Sequence, residues 1–324
     1  MTRLRAYVRR VRSEGFTPTE FLSICIGALF LLSIIVVSGG VVRLTGSGLG
    51  CTDWPRCNKS NLVSVSDKHS AIEQINRLFT FVVCIGVALA AIAAWYRRPR
   101  RRDLLGLSLV MLIGVPAQGI VGAIVVWTDV NPFAVQWHMI LSLVLIWTAV
   151  VMIVRSRQPD RGERVAAVVP RIRRRVRLLT VWTGLALIAG SFVTGTGPHA
   201  GDEEAKRFFG TAKDIDGDAL VWVTRTHATV VWITVLVAFS LLWSLRKLAH
   251  DREVLDAPLT AWLVTAFAQG ALGYIQYAAG LPVGVVAAHL AGAATLTGCT
   301  AWLWCSTSKV VAPAEDMIDA VLNA

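Results

Sequence analysis

Apolar runs long enough to cross a bilayer recur along the chain at roughly 20–42, 72–96, 104–127, 133–154, 176–195, 218–245, 257–279 and 283–306. The pattern predicts an all-α membrane protein with eight transmembrane helices. Polar stretches divide it into an N-terminal flank (1–19), a four-helix half (20–154), a basic linker (155–175), a second four-helix half (176–306) and a tail (307–324).

The polar positions inside those runs repeat. Gln118 precedes His138 by 20 residues, as Gln269 precedes His289, and the shift of 151 that overlays these pairs carries Asn76 onto His227. Thr45-Gly46-Ser47-Gly48 matches Thr194-Gly195-Thr196-Gly197, and Gly119 and Gly122 match Gly270 and Gly273. An even number of spans per half makes this a parallel repeat, about an axis along the membrane normal.

Composition agrees, with 55% hydrophobic and 16% charged residues and a mean hydropathy of +0.58. The net charge of +11 does not point to nucleic acid. Segments 1–20, 97–102, 155–177 and 246–252, with Lys309, hold 23 of the 32 Lys and Arg on one side of the predicted spans. The positive-inside rule then places both termini in the cytoplasm of a bacterial plasma membrane. The basic N-terminal stretch lacks a small-residue cleavage site after a short apolar core, so no removable signal peptide is expected. Cys25, Cys84, Cys299 and Cys305 fall in helices as small core residues, while Cys51 and Cys57 share the first external loop. An oxidising compartment favours pairing them over two unpaired thiols.

His138, His227 and His289 fall within apolar spans, on the order of 10 Å below the outer surface at 1.5 Å per residue. A titratable group at that depth is costly and usually functional. No Cys or carboxylate cluster accompanies them, so axial haem ligation is the economical reading. His227 and His289 would clamp one haem, whereas His138 would face Asn76, leaving a position open. Glu73 lies three residues before Asn76, with Thr224 at the matching place, and reads as a general base unless Arg77 or Arg43 claims it structurally. Arg43, Arg77 and Arg225, near external helix ends, suit haem propionates or interfacial anchoring. His69, His199 and His250 read as ordinary loop histidines.

The segments VVRLTGSGLGCTDWPRC, IEQINR, QGIVGAIVV, QWHM and AAHLAGAATL resemble haem A synthase, the membrane enzyme family that includes the Cox15-type proteins. The resemblance runs from about 20 to 306. It implies an eight-helix bundle in two halves, and two successive oxidations of the C8 methyl of haem O to the formyl group of haem A for terminal oxidases. Carried over, it implies His227 and His289 as ligands of a haem b cofactor iron, His138 as the substrate-haem ligand and Glu73 as the catalytic residue. Asn76 and Arg77 then line the substrate pocket, and Cys51 pairs with Cys57. Membrane lipid, haem O, haem O synthase and terminal-oxidase assembly are the implied partners; the electron acceptor is unassigned. Asn76 departs from a family pattern with histidine there. The rivals are a cytochrome b-like electron-transfer protein and a non-catalytic haem carrier or oxidase assembly factor.

Overall fold

The computed structural model describes residues 2–199, 201–202, 205–210 and 216–313; part of the expected tail, 314–324, lies outside the described residues, as does Lys213. The helices are α1 (Thr2–Glu14), α2 (Pro18–Leu44), α3 (Lys68–Tyr96), α4 (Arg102–Trp127), α5 (Pro132–Ser156), α6 (Pro170–Thr196), α7 (Gly217–Leu245), α8 (Ala249–Ala278) and α9 (Val283–Cys305). Two short strands, β1 (Glu163–Ala166) and β2 (Ser308–Val311), pair antiparallel. Among the described residues, α2 to α7 and α9 are each long and apolar enough to span a membrane. The chain is therefore a multi-pass, all-α membrane protein. The 30-residue α8 covers the expected run 257–279, but it opens on AHDREVLDA, and its hydropathy is diluted by Thr265, Gln269, Tyr274 and Gln276.

Local chemistry sets the helix starts. Thr17 Oγ1 accepts from the Glu20 N–H at 3.2 Å while Glu20 Oε2 accepts from the Thr17 N–H at 2.9 Å, a reciprocal cap that opens α2. Asp67 and Ser70 do the same for α3. Asn131 caps α5, with Pro132 in its first turn.

Several boundaries differ from expectation. The flank contains α1, whose arginine-rich sequence hides it from a hydropathy scan. The linker is shorter than 155–175, because Pro170 starts α6 and carries Arg171, Arg173, Arg174 and Arg175 into the helix. The tail begins with β2, bound to the linker through β1. His69 and His250 are not loop residues; each lies in the first turn or so of a helix, α3 and α8 respectively.

Ties at both ends fix how the helices stand. At one end, here the basic end, Arg97 pairs with Asp160 at 2.8 Å, Arg101 Nη1 donates to the Arg155 carbonyl at 2.9 Å, and the Val169 N–H donates to Asp251 at 2.7 Å. At the other, the disulfide end, the Gly48 N–H donates to the Gly201 carbonyl at 2.7 Å, and His199 Nε2 bonds the Leu281 carbonyl at 2.8 Å.

Helices α2 to α5 pack in a closed ring, each against both neighbours. In the second set α6 packs on α7 and α8 on α9, but α7 and α8 scarcely touch. The sets meet chiefly through α5 and α2 against α9. Each set has its own apolar core, built around Phe21, Leu104, Met111 and Met152 in the first and Ile172, Leu241, Leu255 and Trp262 in the second. All eight lie in the halves of their helices nearer the basic end. Toward the disulfide end the helices carry Gly39, Gly119, Gly122, Gly190, Gly270 and Gly273 with the three intramembrane histidines.

Candidate functional site

The histidines sit in this glycine-lined zone, and the glycines determine how. On α5, His138 Cε1 lies 3.6 Å from where a Cβ on Gly122 of α4 would be; on α9, His289 Cε1 lies 3.6 Å from the corresponding point on Gly273 of α8. Gln118 Nε2 donates to the His138 carbonyl at 3.0 Å, and Gln269 Nε2 donates to the His289 carbonyl at 2.8 Å. The spacing read from the sequence thus corresponds to a helix-to-helix link made twice. Gln118 also donates to Ser142 Oγ at 2.6 Å, where the second set has Ala293.

His227 of α7 packs on α6. A Cβ on Gly190 would stand 3.1 Å from its Cε1, so the ring occupies the space a side chain at 190 would fill. It is also near enough to His289 to act on that ring electrostatically. The Nδ1 atoms of His138, His227 and His289 are all buried without a hydrogen-bond partner, an arrangement that is costly unless the ring serves another purpose.

Asn76 takes the place of His227 in the first set and is already engaged. Ser38 Oγ of α2 donates to its Oδ1 at 2.7 Å. A Cβ on Gly39, the counterpart of Gly190, would meet nothing within 4 Å. Ser38 was not legible beforehand; its one signal is that position 189, its counterpart beside the full histidine, is Ala.

Glu73, 5% exposed, faces the first loop rather than α2. Its Oε1 accepts from Arg77 Nε at 2.9 Å and Nη2 at 2.5 Å, and its Oε2 from the Cys51 N–H at 2.7 Å. Arg77 Nη1 donates to the carbonyls of Asp53 at 2.9 Å and Arg56 at 3.2 Å. Cys51 and Cys57 form a disulfide. Glu73 and Arg77 therefore clasp the disulfide-closed loop from below, and all three nitrogens of the Arg77 guanidinium are occupied. Of the two structural partners expected for Glu73, Arg77 is the one present. Although Glu73 and Asn76 are three residues apart, they address different neighbours.

Of the other expected arginines, Arg225 is exposed, while Arg43 donates through Nη2 to the Thr194 carbonyl at 3.2 Å and leaves Nε buried and unbonded. The loop after α6 brings in an unanticipated one, Arg207, 7% exposed. His69 and His199, expected as bystanders, are both tied in, His69 Nδ1 lying 3.0 Å from Ser47 Oγ. Among the described residues no three His, Cys, Asp or Glu side chains gather as a bare metal ion would require.

Comparison with known proteins gives the chain a family. A family model described as COX15-CtaA, cytochrome oxidase assembly protein, matches residues 23–75 and 64–201. The chain is similar to the "Heme A synthase" of Listeria welshimeri, 29% identical over 171 residues, covering 51% of this chain and 55% of that relative. It is similar also to those of Geobacillus kaustophilus, 37% identical over 106 residues (32% of this chain, 33% of the relative), and Geobacillus thermodenitrificans, 34% over 113 residues (35% of each). The chain spans about half the length of the first of these relatives, and about a third of the other two. The family match takes in more than half of the residues, and the chain belongs to the COX15-CtaA family of cytochrome oxidase assembly proteins.

Proposed function

We propose that this protein is a haem A synthase, oxidising the C8 methyl of haem O to the formyl group of haem A in two successive steps. The observation that carries the reading is the difference between the sets: His227 lies near enough to His289 to act on it, whereas the counterpart of His227 is Asn76, tied to Ser38. A haem iron held by two histidines is suited to electron transfer, and one held by a single strong ligand keeps a position open for chemistry. The donor set fits such a group. The Nδ1 atoms of the three histidines are unbonded, and each ring lies over a glycine of the neighbouring helix, which leaves that surface flat.

In this reading His227 and His289 hold a haem b cofactor, and His138 holds haem O in the α2–α5 set. Gln118 and Gln269 fix the two histidine backbones, so each ring keeps its direction. Glu73, paired with Arg77, is the candidate proton acceptor, and the disulfide loop that it clasps would keep water from the pocket.

The topology proposed is eight spans with α8 as the eighth, in two parallel four-helix repeats. Adding 151 to the bounds of α2 to α5 gives 169–195, 219–247, 253–278 and 283–307, within four residues of the bounds of α6 to α9 throughout, which supports the repeat. The arginine-rich end would face the cytoplasm of a bacterial plasma membrane. Haem O synthase and the assembling terminal oxidase would supply the substrate and take the product.

The second reading is a non-catalytic haem carrier or assembly factor. It is favoured by one observation: both Glu73 oxygens already serve the Arg77–Cys51 clasp. Expression with a haem O supply, followed by chromatography of extracted haem, separates the two. Haem A formation by the native chain, lost in Glu73→Ala with bound haem retained, supports the enzyme; haem O carried through unchanged by the native chain supports the carrier.

A further inference from the structure

Arg43 closes α2 and Arg207 comes from the loop that follows α6, yet both reach the end of α6 one turn apart, Arg43 donating to the Thr194 carbonyl at 3.2 Å and Arg207 to that of Pro198 at 2.9 Å, and the Arg207 charge acts on Arg43. The loop crosses from its own set to the other. The Gly48 N–H donates to the Gly201 carbonyl at 2.7 Å, and Phe208 rests edge-on against Phe133 of α5 at 4.9 Å between ring centres. Gly201, at φ +104°, makes the crossing possible: a Cβ there would lie 3.0 Å from Val130 and 3.6 Å from the Arg43 stem.

Arg207 is 7% exposed. Its Nη2 donates to the Pro198 carbonyl at 2.9 Å, but its Nε and Nη1 are buried and unbonded, as is Arg43 Nε. Burial also pulls the Arg207 pKa below its ordinary value, with Asp202 opposing that fall. Among the described residues Asp202 offsets part of the Arg207 charge, and buried charge that is incompletely compensated is expensive. Unused donors in two guanidinium forks suit planar carboxylates.

We infer that Arg43 and Arg207 form a carboxylate-binding site, one arginine from each helix set, and that it takes the propionates of the haem held on His138. The inference rests on the haem-binding role proposed above. His138 lies about 9 Å below the first residue of α5 at 1.5 Å per residue, and Phe208, next to Arg207, packs on Phe133 at the start of the same helix, so the arginines stand on the loop side of any group held by His138. Arg77 and Arg225 are the weaker candidates, one fully engaged and the other exposed. The α6–α9 set thus helps to seat the ligand of the α2–α5 set.

The test titrates the full-length protein, depleted of haem, with hemin and with hemin dimethyl ester. Absorption at the first-set site is isolated as the part lost in His138→Ala. The native chain should bind the free acid about tenfold or more tightly than the ester. Arg207→Gln and Arg43→Gln should bring the ratio toward one with ester binding unchanged, and Arg207→Lys should restore part of it. The signal that depends on His227 and His289 persists in each variant as the check on folding. Equal binding of acid and ester by the native chain, or an undiminished preference in Arg207→Gln, overturns the site. Absence of any His138-dependent signal with either probe overturns the haem reading of the first set, and the arginine site with it.

Discussion

The two helix sets have closely matched helix lengths but differ in closure. Helices α2 to α5 form a complete ring, covered at the disulfide end by the loop clasped to Glu73 and by the loop that carries Arg207. In the α6–α9 set, α7 and α8 diverge around a cleft of about 350 Å³ whose walls include Leu242, Trp243, Arg246 and Leu263. The more enclosed set is the one with Asn76 in place of a histidine and a carboxylate on its second helix. Helix sets of similar length thus differ by a few polar side chains and by where the loops fall. Function must be argued from the sites rather than from the shared frame.

The comparison breaks most sharply at the histidines. His227→Ala or His289→Ala should abolish a low-spin, two-histidine haem signal in the electron paramagnetic resonance spectrum while leaving signals that depend on His138. Conversely, Asn76→His should add a second two-histidine signal, given the open space beside Gly39. No new signal would mean that the sets differ by more than that one side chain.

Glu73→Ala is next in size. It removes the ion-pair partner of the partly buried Arg77, which keeps its bonds to the Asp53 and Arg56 carbonyls, and strands the Cys51 N–H. Loss of one partner of a buried pair costs about 3–5 kcal/mol, so the thermal midpoint should drop by several degrees even if the protein were only a carrier. Glu73→Gln keeps a hydrogen-bonding group in place and should fall less. In both, haem A formation, followed by chromatography, should stop if the residue takes up protons.

Glycine substitutions give a smaller, paired contrast. Gly190→Ala presses on the His227 ring and should shift the low-spin signal, whereas Gly39→Ala should leave spectra and stability unchanged. The glutamine links are smaller still. Gln118→Ala and Gln269→Ala should each cost on the order of 1 kcal/mol by thermal melting, with Gln118 the costlier because it also donates to Ser142.

Much of this was legible in the sequence, and the reasons are specific. The apolar runs located eight long helices to within a few residues at most boundaries, because hydrophobicity dictates what enters a membrane. It failed where helices are charged, as in α1 and the arginine-bearing start of α6, and where structure depends on distant pairing, as in β1 with β2. The glutamine–histidine relation was visible because it is written twice. Ser38 and Arg207 were invisible: one acts through a neighbouring helix, the other through a loop that crosses between sets, and neither spacing appears in a linear reading. The histidines at 69 and 199 were underrated for the same reason.

The two large apolar cores stop about halfway along both sets, and beyond them lie the glycines, the intramembrane histidines, the loops and a small apolar cluster around Val130 and Ala205. Resistance to local opening should therefore be graded along the long axis of the molecule. Backbone amides around Met111, Met152 and Leu241 should be the last to exchange with solvent, and those flanking Gly122 and Gly190 among the first within the helices. One end acts as an anvil and the other as a yielding jaw, so local opening at the histidine end should leave the packing that keeps the bundle assembled intact.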